Sequence, residues 1–207
     1  MSQVGAALGR RFARLATDVV VRRPGLWPLF RGRMEKQFDG LAPVWETRIM
    51  PHHVRALEQA LGGVPAPKRV LDVGSGTGVA TFALAQRFAE AEVVGIDLSG
   101  QMVDQARAKT PPELADRVRF EVADASALPF DDGSFDLAVL MNAIPFFDEL
   151  ARVASAVIAS FSRGSETPIY VPDDRLRHEL SSRGFTQFAS FTADPATAFL
   201  AVRVDRT

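Results

Sequence analysis

Val70-Leu71-Asp72-Val73-Gly74-Ser75-Gly76-Thr77-Gly78 decides how the chain is read. The first four residues have the apolar character of a short buried strand. Three glycines at alternate positions then make a tight turn. Its backbone can approach a ligand closely, because glycine has no Cβ and tolerates positive φ. Val79 to Ala85 reads as a helix, so free N–H groups at the helix start point at whatever lies over the turn. Strand, glycine turn and helix together cradle a nucleotide, and the spacing narrows which one. A dinucleotide loop of the form G-x-G-x-x-G needs a small residue where Val79 stands, and no lysine follows as in a triphosphate loop. Asp72, two residues before the first glycine, repels phosphate and favours an ammonium or sulfonium.

Working outward, two further carboxylates occupy matching places. Asp97 ends the strand Glu92–Asp97, 19 residues after Gly78. A carboxylate there can accept from both hydroxyls of a ribose. Asp124 follows the strand Val118–Val122, at an edge where it can meet the exocyclic amine of an adenine. Ligands of open α/β sheets bind beyond the carboxyl ends of the strands. The inferred ligand is an adenosine with a cationic head.

The rest of the chain alternates. Strands are expected at Arg69–Val73, Glu92–Asp97, Val118–Val122, Phe135–Met141 and Ser155–Phe161, with helices between them. Such alternation gives a mostly parallel sheet with right-handed crossovers. The last two strands, Phe185–Thr192 and Thr197–Val204, are joined by four residues, too few for a parallel crossover, so they pair antiparallel. The expected class is α/β, with a seven-stranded sheet whose last strand is antiparallel.

Composition bounds the function classes. The 207 residues carry 47% hydrophobic and 24% charged side chains and a formal net charge of −1. That balance does not suit a general nucleic-acid binder, which carries a basic excess. No cysteine is present, which removes disulfides, thiolate metal sites and a cysteine nucleophile, and is consistent with a cytoplasmic protein. No run of 18 or more apolar residues is present, so stable membrane insertion is not expected. No metal-ligand spacing stands out.

Residues 1–50 read as a separate helical segment and 51–207 as the ligand-binding domain. The first 36 residues hold seven arginines and one lysine against Asp18 and Glu35. Ala6–Val21 is helix-capable, with Leu8, Phe12, Leu15 and Val19 on one stripe. Leu26–Phe30 is an apolar knot, and Met34–Phe38 starts another helical turn. We read these as helices that pack over the site with their arginines in water, in preference to a basic membrane face.

The ordered set VLDVGSGTG, VVGIDLSGQMVDQAR and VADASALPFDDGSFDLAVLMNAIPFF resembles the class I S-adenosylmethionine-dependent methyltransferases over about residues 66–150. Upstream, Phe38–Glu46, FDGLAPVWE, is similar to the FDxxAxxYD segment of quinone-biosynthesis and related small-molecule methyltransferases. The resemblance implies a Rossmann-like three-layer sandwich and S-adenosyl-L-methionine as cofactor. It places Gly74, Ser75 and Gly76 under the methionine part, with Asp72 serving its amino group. Asp97 takes the ribose hydroxyls, Leu98 and Met102 flank the adenine, and Asp124 and Ala125 meet its amine edge. Asn142 lies near the methyl group, while Trp45 and Arg48 close over the cofactor.

Two features depart from that pattern. The Pro-Gly-Gly turn that usually precedes the fifth strand is missing from ELARVASAVIASFS, and Ser162–Pro172 is only a modest loop. The acceptor pocket must come from that loop, from Ile144–Phe147 and from the N-terminal segment. Methyl transfer from a sulfonium is an in-line displacement in which alignment matters most. A hydroxyl or carbon acid acceptor also needs a base. His52 and His53, at a helix start, are the candidates. The aromatic residues of the N-terminal segment suggest a small apolar or aromatic acceptor. The alternative is a non-catalytic protein that binds the nucleoside as a sensor or partner subunit. Nothing in the sequence fixes the oligomeric state.

Overall fold

The computed structural model describes residues 3–48 and 51–204. Around the glycine turn the chain builds β1 (Arg69–Val73), α4 (Val79–Arg87), β2 (Glu92–Asp97), α5 (Gly100–Lys109) and β3 (Val118–Val122). It then crosses to β4 (Phe135–Met141), α6 (Phe147–Val153), β5 (Ala154–Phe161), α7 (Asp173–Ser181), β6 (Gln187–Ala193) and β7 (Ala196–Val202). The strand order is β3-β2-β1-β4-β5-β7-β6. The pairs β1–β2, β1–β4, β2–β3 and β4–β5 are parallel, and β7 is antiparallel to both of its neighbours. The expected α/β class, the strand count and the antiparallel last strand all hold.

Period-two burial makes the three layers. Val70, Val93, Leu137, Val139 and Ile158 face one core, which they share with Leu84 of α4, Val103 of α5 and Leu57 and Leu61 of α3 (Arg55–Leu61). Leu71, Val73, Val94, Leu140 and Val157 face the other, against Leu150 of α6 and Leu176 and Leu180 of α7. Successive strand residues alternate faces, so every central strand is apolar on both sides. Asp72 breaks that run. It is fully buried and belongs to the β1 face that carries Val70.

The missing Pro-Gly-Gly turn has a simple solution. α6 ends at Val153 and Ala154 is already extended, so helix joins strand with no loop residue between them. The Arg152 guanidinium, in the last turn of α6, donates to the carbonyls of Leu128 and Phe130 and pairs with Glu149 and Asp132. It thereby fastens the 128–132 loop that leads into β4.

The N-terminal segment differs in detail from expectation. α1 (Gln3–Arg22) is present, but Leu8 and Leu15 are each 55% exposed. The buried face is Ala13, Ala16, Thr17 and Val20. Small side chains let the helix lie close against Ile144, Phe146 and Ile169, which larger leucines would hold off. α2 (Pro28–Leu41) begins inside the apolar knot, because Pro28 sits in the first helical turn, where its missing N–H costs nothing. The helix start expected at His52 and His53 is a 3₁₀ turn, Pro51–Val54, and α3 follows it.

Candidate active site

β1 is the switch point of the sheet: the chain leaves it toward β2 on one side and returns as β4 on the other. The loops after β1 and β4 therefore part there and leave a crevice. Gly74 has φ +72° in the left-handed region, and a Cβ at that position would lie 2.6 Å from the Ala143 Cβ. The glycine loop and the loop after β4 touch because Gly74 has no side chain. A Cβ on Gly76 would lie 3.4 Å from Trp45 Nε1, so the N-terminal segment presses on the loop from above.

The carboxylates at the strand ends are all engaged. Asp97 accepts from the Gly76 amide on Oδ2 and from the Ser99 amide on Oδ1, both at 2.8 Å. Each oxygen keeps a further lone pair for a ligand hydroxyl. Burial pushes the Asp97 carboxyl up against those amide donors, and the nearby Asp39 charge adds to the rise. Ser99 caps α5 through Met102 and donates its hydroxyl to Asp39 Oδ1 at 2.5 Å, which joins α2 to the same corner. Asp72 Oδ2 accepts from the Thr81 hydroxyl at 2.6 Å, while Oδ1 is buried with no hydrogen-bond partner among the described residues. Burial pushes the Asp72 carboxyl up to about 7, the Thr81 hydroxyl opposes the rise and the Asp97 charge adds to it.

Asp124 has partners that the sequence did not announce. Trp27 Nε1 donates to both of its oxygens at 3.0 Å, and Arg31 pairs with Oδ2 at 2.7 Å. Partial burial works upward on its carboxyl, but the Ser126 amide and hydroxyl, the Trp27 indole and the Arg31 charge outweigh it and hold the group below the usual carboxylate range. A second latch joins Glu46 to Lys109 of α5 and to the Thr77 hydroxyl of the glycine loop.

Asn142 follows β4 in a left-handed conformation, φ 59°. Its side-chain oxygen accepts from the Ser162 amide at 2.9 Å and its amide donates to the Ser162 hydroxyl at 3.0 Å. The side chain is thus pinned across the ends of β4 and β5.

Two adjoining cavities result. The first, of about 110 Å³, lies over β1, β2 and β4 and is lined by Gly74, Gly76, Asp97, Leu98, Met102, Asp124, Ala125, Asn142 and Trp45. The second, of about 790 Å³, opens between the glycine loop, α1, α2 and the loop after β5, and Ser75 and His53 are in its wall. Asp72 lies beneath the loop and lines neither cavity. The side chains of Arg48 and His52 fall outside the described residues. Trp27 lines the smaller cavity, in keeping with the aromatic wall expected from the N-terminal segment, but the hold of Trp27 and Arg31 on Asp124 has no signal in the sequence beyond a tryptophan next to an arginine-rich helix start. Among the described residues no group of three or more His, Cys, Asp or Glu is placed to hold a metal ion, and no helix is long and apolar enough to cross a membrane.

Comparison with known proteins agrees with this arrangement. Residues 70–163 match a family model described as a methyltransferase domain. The chain is 29% identical to trans-aconitate 2-methyltransferase of Methylobacterium radiotolerans, over 75% of this chain and 60% of that protein. It is 45% identical to demethylmenaquinone methyltransferase of Thermus thermophilus, over 42% of this chain and 38% of that protein. The matched part thus spans less than two thirds of either relative. Among solved structures, an S-adenosylmethionine-dependent methyltransferase from Aquifex aeolicus superposes with a TM-score of 0.63 at 18% identity, covering 79% of this chain and 98% of that one. The residues present fit the cofactor of that family. In the smaller cavity Asp97 keeps a lone pair on each oxygen for a ribose hydroxyl, and Gly74 and Gly76 bring bare backbone to the wall. Residues 70–163 match the methyltransferase-domain family, and the seven-stranded sheet around them has the fold of the S-adenosylmethionine-dependent methyltransferase it superposes on.

Proposed function

We propose that the chain is a methyltransferase that uses S-adenosyl-L-methionine to methylate a small molecule. The observation that carries this reading is the first cavity. It gathers, at the sheet's switch point, the glycine loop, two strand-end carboxylates and a wall of Trp27, Phe38, Trp45 and Phe146. S-adenosylmethionine, when bound, supplies a sulfonium-activated methyl group to an acceptor nucleophile. Asp97, held by two amides, receives the ribose, and Leu98 and Met102 flank the base. Asp124 and Ala125 border the amine edge, and Asp72 sets the charge balance beneath the methionine end. The aromatic wall suits a cation, because ring faces carry negative potential. The cavities meet at Gly74, Gly76, Asn142, Phe38 and Trp45, and the acceptor enters from the larger one.

Residues 1–50 act as the lid of this site and residues 51–207 as its platform, since Trp27, Arg31, Asp39 and Glu46 all anchor on the platform's strand-end loops. His53, in the wall of the acceptor-side cavity, is the candidate to take a proton from a hydroxyl or carbon acid. His52 keeps the same proposed role. The reading includes a cytoplasmic protein, from the absence of cysteine, and no nucleic-acid partner, from the near-zero net charge.

The test is incubation with methyl-labelled S-adenosylmethionine and a panel of hydroxyl, carboxylate, amine and carbon-acid acceptors. Acceptor-dependent formation of S-adenosylhomocysteine and a labelled product supports the enzyme. Tight binding of the cofactor without turnover of any acceptor favours a non-catalytic binding protein.

A further inference from the structure

We propose that the acceptor is an anion: a small molecule with an apolar body and a carboxylate or phosphate group, seated in the larger cavity. This rests on the methyltransferase reading and adds the class of substrate to it. The two cavities differ sharply in charge. The ionisable side chains of the smaller one are Asp97 and Asp124. The larger one is lined by Arg10, Arg33, Lys36 and Arg163, with His53, and by no aspartate or glutamate among the described residues.

Most of those cations lack a counter-charge. Arg10 and Lys36 make no ion pair among the described residues. Arg33 lies 4.2 Å over the ring of Phe12 and has no carboxylate partner among the described residues. Arg163 alone is paired, with Glu166 at 2.7 Å. Arg33 and Lys36 are one turn apart on α2 and so share a face, and Arg10 comes from α1. Like charges converging on one space repel, and an anion placed between them relieves that repulsion. Phe38, Leu41, Trp45 and Ile169 supply the apolar part of the same wall. The cofactor's methionine end carries a carboxylate and an ammonium group together, so it brings no net charge to offset these cations. A basic excess remains for the acceptor.

The experiment uses the whole chain and begins with calorimetric titration of S-adenosylhomocysteine. The protein saturated with it is then titrated with matched acid and neutral probes. These are 4-phenylbutyrate against 4-phenylbutyramide, octanoate against octanamide, and phenyl phosphate against phenol. We expect at least one acid to bind about tenfold tighter than its neutral partner at about 0.05 M salt, with the preference shrinking several-fold at about 0.5 M. The carboxylate and phosphate arms say which oxyanion is preferred. The double variant Arg33→Glu, Lys36→Glu should abolish the preference and change S-adenosylhomocysteine affinity by less than about threefold. Equal binding of acid and neutral probes, binding of neither, or an acid preference that survives the double variant overturns the proposal. So does a loss of S-adenosylhomocysteine affinity in that variant as large as the loss for the acid, since the cations would then serve the cofactor. If the parent chain binds no S-adenosylhomocysteine, the cofactor reading fails by itself, and the probe pairs are measured on the protein alone with the same criteria.

Discussion

Trp27 Nε1 lies 3.0 Å from both carboxylate oxygens of Asp124, across 97 residues of sequence. The bond joins the apolar knot between α1 and α2 to the strand-end loop expected to meet an adenine. One carboxylate therefore has two tasks: it borders the smaller cavity and it holds the N-terminal segment against the sheet domain.

Removing the donor while keeping an aromatic ring separates those tasks. Trp27→Phe should lower unfolding stability by about 1.5–3 kcal/mol, the range for a hydrogen bond to a charged acceptor. Amide exchange in residues 24–41 should rise more than exchange in β1 or β4, because only the lid loses its anchor. Denaturant unfolding and hydrogen exchange read the two effects. A uniform rise in exchange across the sheet would show that Trp27 matters as core packing and not as a latch.

Asp72 makes stability depend on pH. Its carboxyl titrates near 3.8 in the unfolded chain and is pushed up to about 7 in the folded one. Between those values the folded state binds the extra proton, so stability falls as pH rises through that window. The ligand-free protein should unfold more readily at about pH 8 than at about pH 5.5. Asp72→Asn keeps the site neutral at every pH and should flatten much of that slope, leaving the part that the raised carboxyl of Asp97 contributes. Urea midpoints at the two pH values check it. Equal slopes in parent and variant would place the pH dependence elsewhere.

The contact between the glycine loop and the loop after β4 should be intolerant of a single methyl. Gly74→Ala adds a Cβ 2.6 Å from Ala143 to a residue at φ +72°. A cost of about 1–3 kcal/mol and at least about a tenfold loss of S-adenosylhomocysteine affinity are expected. Asn142→Gly relieves the backbone at φ 59° but removes both bonds to Ser162. It should lower the turnover number more than it lowers stability, because the pinned side chain stands where the two cavities meet. Thermal unfolding, titration and steady-state kinetics distinguish these outcomes.

Much of this architecture is written locally. Near-continuous apolar runs such as Val70–Val73 and Phe135–Met141 are buried on both faces, so they stand out as strands in a single sequence. The glycine spacing and the carboxylates at Asp97 and Asp124 follow the ends of those strands directly. What could not be read depends on distant partners. The face by which α1 packs is made of Ala13, Ala16, Thr17 and Val20, and nothing local says that small residues are preferred over Leu8 and Leu15 until Ile144 and Phe146 are seen opposite. The Trp27–Asp124 bond and the Glu46–Lys109 pair are of the same kind. The convergence of Arg10, Arg33 and Lys36 on one cavity joins residues of two helices. In the sequence they were only a basic stretch, and the aromatic residues around them pointed to an apolar acceptor.

The central claim is that the cavity over Gly74, Gly76 and Asp97 seats the nucleoside and methionine parts of S-adenosylmethionine. Calorimetric titration of the purified chain with S-adenosylhomocysteine, repeated on Asp97→Ala, tests it most directly. The account predicts one site per chain and a loss of at least about tenfold in affinity in the variant, as expected when hydrogen bonds to a charged acceptor are removed. Absence of binding to the folded parent chain, or binding of a nicotinamide dinucleotide in its place, would contradict it.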